Sequence, residues 1–216
     1  MKRTIVRLGI ITGICFLAVL LSVSAVCPKE EAWFANISYD RIYVFVLIPL
    51  YMLIIQYLDI SRLPSVAVRI GDRRKGMITA LVLEYTVALL YICIWFFLVL
   101  MFTMIKFPVY KMTAASILDS LLRYLLGLIM AADIAYMFRC SSNPFLSATA
   151  GFCPVFLCIL DVMVISPQLL RNIAKSVGFL FSWVYQEGIS GYLGAIVVLL
   201  LLHVYLLKIS VNKDIV

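Results

Sequence analysis

Glu84, Asp119, Arg123, Asp133 and Asp161 are ionisable residues set inside long apolar runs. A charge near the centre of a bilayer costs about 2.5–3.5 kcal/mol on insertion scales, so each needs a partner or a wet cavity. Asp119 and Arg123 stand four residues apart, which puts them on one helix face as an ion pair. Asp161, counted from the far end of its own run, reaches the depth of Arg123, and that cluster would fix helix register rather than touch a substrate. Glu84 and Asp133 each lie about 10 Å in from one side of the membrane, at about 1.5 Å per residue. Two carboxylates at one depth can share a proton or bind a cation, as in a secondary transporter. The plainer reading is that they pair with Arg or Lys from a neighbouring basic loop, or face an inner vestibule.

Other chemistries lack their residues. His203 is the only histidine, and it sits in an apolar run, which reads as helix packing. A zinc-protease helix needs HExxH, and a phosphate cradle needs GxxxxGK[ST]. Neither pattern occurs, nor does a GxSxG elbow or an acidic cluster for Mg²⁺. The chain is expected to be no enzyme and to hold no metal or cofactor of its own, so any pumping draws on ATP hydrolysed elsewhere. Of the six cysteines, Cys15, Cys93, Cys153 and Cys158 fall within apolar runs, Cys140 on the inner side and Cys27 outside. No pair shares an oxidising compartment, and no structural disulfide or CxxC site is expected.

These residues need helices to hold them. With 216 residues, 65% apolar, 13% charged and a mean hydropathy of +1.10, the chain carries about half the charge of a soluble domain. Runs of about 20 apolar residues span a hydrocarbon core, and they occur near 5–26, 42–58, 77–102, 117–138, 144–166 and 190–210. The expected fold is an all-α polytopic membrane protein, a single domain over 1–216 with six transmembrane helices. The first run, with Lys2, Arg3 and Arg7 before it, resembles a secretory signal, but it is long enough to span and five runs follow. Pro49 predicts a kink in the second span. Gly9 and Gly13 form a GxxxG, and Ser147-Ala148-Thr149-Ala150-Gly151 a small-residue cluster; both invite close helix contact.

The net charge of +7 could suggest nucleic acid, yet the basic residues flank the apolar runs, so they report orientation instead. With the N-terminus inside, the inner side holds Lys2, Arg3, Arg7, Arg62, Arg69, Arg73, Arg74, Lys75, Arg139, Lys208 and Lys213. The outer side holds Lys29, Arg41, Lys106, Lys111, Arg171 and Lys175. Both termini are therefore expected in the cytoplasm. The densest basic stretch is 59–76, DISRLPSVAVRIGDRRKG, between the second and third spans. Residues 167–188 repeat Leu169, Leu170, Ile173, Val177 and Leu180 at helical spacing among Arg171, Lys175 and Glu187, an amphipathic segment that is re-entrant or interfacial.

This layout resembles the membrane (permease) subunit of type-2 ATP-binding-cassette exporters. The local match is Val68-Arg69-Ile70-Gly71-Asp72-Arg73-Arg74-Lys75, where that family places its coupling helix. The resemblance implies that Ser65 to Arg74 docks in a cleft of a separate cytoplasmic ATP-binding-cassette ATPase subunit, which holds the ATP and Mg. Arg69, Gly71, Asp72, Arg73, Arg74 and Lys75 would then form the coupling surface. It also implies a second permease copy or a paralogue, with Gly9, Gly13, Ser147, Ala148 and Gly151 near the interface. Export of an amphiphilic substrate across a bacterial cytoplasmic membrane would follow, with lipids as surroundings and no nucleic acid partner. The 216 residues are short for that class, and no large outer domain is expected.

Overall fold

The computed structural model describes residues 2–24, 43–58, 73–106, 114–140, 145, 147, 149–157 and 189–212. Among the described residues the chain is all helix and turn, with no strand. Its helices are α1 (Lys2–Ser24), α2 (Ile48–Leu58), α3 (Arg73–Lys106), α4 (Ala114–Arg139) and α5 (Ile189–Asn212). Each coincides with an apolar run, because a backbone in hydrocarbon must satisfy its own hydrogen bonds. Lys75–Phe102, Ile117–Arg139 and Gly191–Ile209 are long and apolar enough to cross a membrane, while Gly9–Leu21 and Phe45–Tyr57 are shorter apolar stretches.

Two details differ from the sequence reading. Where Pro49 predicts a kink, the winding changes: Tyr43–Leu47 is a π-helical stretch and α2 begins at Ile48. Proline has no N–H to donate, and the first turn of a new α-helix is where that donor is not needed. The third helix is longer than its apolar run and takes in Arg73, Arg74, Lys75 and Gly76. Arginine and lysine favour helix, so the basic stretch ends inside the element it was expected to precede. Of the fifth run, residues 145, 147 and 149–157 lie in helical turns, with Thr149 N–H donating to the Phe145 carbonyl at 3.0 Å and Phe156 N–H to Phe152 at 3.0 Å. The rest of that run, the loop 59–72 and the segment 167–188 lie outside the described residues.

α3 is the hub and packs against α1, α2, α4 and α5. Contacts fix the directions. Tyr51 meets Glu84 and Tyr91 meets Leu47, so α2 and α3 are antiparallel. Glu84 meets Arg139 and Trp95 meets Tyr124, so α3 and α4 are antiparallel as well. α4 and α5 run parallel, since Asp119 meets Tyr192 and Asp133 meets His203. The chain therefore leaves α4 at one end of the bundle and enters α5 at the other. The spanning window of α4 is 56% buried and that of α5 only 11%, which makes α4 the interior helix and α5 a flank. Between the two ends, Trp95, Phe96, Tyr124 and Tyr43 form an aromatic layer, with Tyr43 stacked on Tyr124 at 5.0 Å and Trp95 edge-on to Phe96 at 5.1 Å.

Candidate functional site: a buried polar layer

At the end of the bundle where α3 begins, polar side chains from four helices converge. Glu84 is fully buried, and its Oε1 accepts from Arg139 Nη1 at 2.9 Å. Tyr51, itself fully buried on α2, donates its hydroxyl to the Glu84 backbone carbonyl at 3.0 Å. A lone buried carboxylate would be costly, and the guanidinium from the last turn of α4 neutralises it. Glu84 Oε2 and Arg139 Nη2 have no hydrogen-bond partner among the described residues.

Tyr85 is the next residue on α3 and points around the helix to a different pair. Its hydroxyl bonds Asp133 Oδ1 and also lies 2.7 Å from His203 Nε2. The other ring nitrogen, Nδ1, is 2.7 Å from the Leu199 carbonyl and 3.5 Å from Asp133 Oδ2. Asp133 is fully buried, whereas the His203 side chain is 37% exposed. Ala131, Ala132 and Ala135 flank Asp133 with no exposed surface. Small residues of this kind permit close approach of neighbouring helices.

The opposite end of α4 carries a looser cluster. Arg123 Nε and Asp119 Oδ2 make the i, i+4 ion pair at 2.8 Å. Tyr192 of α5 donates its hydroxyl to Asp119 Oδ1 at 2.5 Å, and the Arg123 guanidinium lies 5.4 Å from the centre of the Tyr192 ring.

Glu84 and Asp133 thus share a layer, and each has its own partners. Among the described residues, Glu84's cation is Arg139 at the end of α4. His203, read from sequence as packing, belongs to the polar layer. Asp161, Arg69, Gly71, Asp72 and Ala148 lie outside the described residues. Arg73 and Arg74 start α3, followed by the exposed Lys75. Gly9 and Gly13 have nothing within 4 Å of an added Cβ. Gly151 is different: a Cβ there would fall on the Gln56 side chain of α2 in the same chain, and Ser147 Oγ donates to the Arg139 carbonyl at 3.3 Å. Those two residues face this chain's own bundle.

Tyr51, Tyr85, Arg139 and Tyr192 were not singled out as site residues. One signal was present: Asp133 and His203 each stand about 9 Å from the ends of their spans, at Arg139 and Ile209. No protein-family model, characterised protein or solved structure matches the chain.

Proposed function

We propose that this membrane protein is the permease subunit of an ATP-driven exporter, with six spans, both termini cytoplasmic and its energy supplied by a separate ATPase subunit. One observation carries the reading: the helix that grows directly out of the basic segment is the hub that touches every other long helix. α2 ends and α3 begins on either side of residues 59–72. A push delivered there by a nucleotide-driven partner reaches all of the bundle through α3, which is what alternating access requires of a coupling segment. The parallel run of α4 and α5 supports a further membrane crossing between them. The open Gly9–Gly13 face of α1 supports a second permease copy or paralogue. An amphiphilic substrate would pass between the two copies, in a bacterial cytoplasmic membrane.

A second reading is proton-coupled transport without a motor. Asp133, with Tyr85 and His203, favours it; Glu84 does not, because Arg139 occupies it. The two readings separate in cells by energy source. Protection from, or efflux of, an amphiphilic antibiotic by the ATP-driven permease is lost on ATP depletion and survives a proton ionophore. The reverse pattern rejects the motor and selects the proton.

A further inference from the structure

The hydrogen bonds of Tyr85 raise a question of proton count. The Leu199 carbonyl only accepts, so His203 Nδ1, 2.7 Å away, carries a hydrogen. Two hydrogen bonds then run through the Tyr85 oxygen, one to Asp133 Oδ1 and one to His203 Nε2. They need two protons among three heavy atoms, and there are two ways to arrange them. In the first, His203 Nε2–H donates to Tyr85, whose hydroxyl donates to a charged Asp133; the histidine is an imidazolium. In the second, a protonated Asp133 donates to Tyr85, whose hydroxyl donates to Nε2 of a neutral histidine. Every bond survives in both, and both carry the same number of protons.

We infer that Asp133, Tyr85 and His203 form a proton-binding relay that holds one proton between a buried carboxylate and a surface-facing imidazole. Transfer runs through the phenol. As Nε2–H passes its proton to the Tyr85 oxygen, the Tyr85 O–H passes its own to Asp133 Oδ1. Two N–H or O–H bonds break and two form, nothing is oxidised or reduced, and the net movement is one proton from His203 to Asp133. The relay is asymmetric: the His203 side chain is 37% exposed and Asp133 is sealed. If the shared proton leaves, Nε2 and the phenol oxygen face each other with one hydrogen too few, and the link from α3 to either α4 or α5 breaks. Protonation therefore keeps the hub linked to both α4 and α5 through Tyr85.

The charged and titratable groups around the relay are compatible with one shared proton. From α2 comes Tyr51, from α3 Glu84, and from α4 Arg139, which pairs with Glu84. Glu84 and Arg139 cancel each other at 2.9 Å. The relay concerns a site distinct from segment 59–72, so it stands or falls independently of the motor.

His203 is the only histidine, so ¹⁵N-histidine labelling of the full chain in nanodiscs gives one ring to follow by NMR. Infrared spectroscopy follows the carboxyl band that Asp133→Asn removes. Between about pH 4 and about pH 10, which brackets the ordinary carboxyl and imidazole ranges, the two signals should change at one common midpoint. Nδ1 should stay protonated throughout. Tyr85→Phe should split the transition and move the His203 midpoint by about one pH unit or more, a tenfold change in proton affinity. Unrelated midpoints in the wild type, no titration of either group, or an unmoved midpoint in Tyr85→Phe would each overturn the relay. If Tyr85→Phe fails to fold, Asp133→Asn serves alone: its His203 midpoint must move by about one unit, and an unmoved one rejects the coupling.

Discussion

The two polar clusters of α4 use similar residues to different ends. At its first turns Asp119, Arg123 and Tyr192 meet where the Asp119 side chain is 44% exposed; at its last turns Asp133 and Glu84 are sealed. The carboxylate end of that pair is screened by its exposure, whereas the sealed carboxylates of Glu84 and Asp133 cannot lose a partner cheaply. The same helix thus carries a tolerant end and an intolerant one. The intolerant end is the one where α3 emerges from the basic segment.

That difference can be broken by substitution, with effects that fall in order. Arg139→Met leaves Glu84 buried and unpaired, and should cost about 3–5 kcal/mol in denaturant unfolding of the purified protein. Adding Glu84→Gln should restore most of the loss, since the remaining amide carries no charge. Tyr85→Phe removes one hydroxyl that serves two partners, and should cost about 1.5–3 kcal/mol, as for hydrogen bonds to charged groups. At the other end, Asp119→Asn should cost less than about 1 kcal/mol by the same measurement. An Asp119 effect as large as that of Arg139 would erase the contrast. Gly13→Leu comes last: with open space around it, stability should change by less than about 0.5 kcal/mol. Its effect should appear in the dimer fraction on crosslinking, which falls if α1 forms the interface between copies.

Much of the architecture was legible because a membrane helix announces itself by length. The runs near 5–26, 42–58, 77–102, 117–138 and 190–210 each became a helix, and the Asp119–Arg123 pair followed from the i, i+4 rule alone. Helix ends were less legible, since Arg73 to Lys75 are polar yet good helix formers. Partnerships across helices were least so. Glu84 with Arg139, Tyr85 with Asp133 and Tyr85 with His203 join residues 55, 48 and 118 positions apart. Only the directions of the helices decide which residues at one depth meet. A lone histidine in an apolar run looks inert until α5 is seen to run parallel to α4 and bring it level with Asp133.

The most direct test of the permease reading is co-purification. The chain is expressed with the ATPase subunit that the permease reading requires, extracted in mild detergent and captured by a tag on the permease. The wild-type chain should retain the ATPase and alter its hydrolysis rate. The Arg69→Glu, Arg73→Glu double variant should insert normally, purify as a folded protein and lose the ATPase. A double variant that still captures the ATPase and still changes its rate would contradict docking through the basic segment.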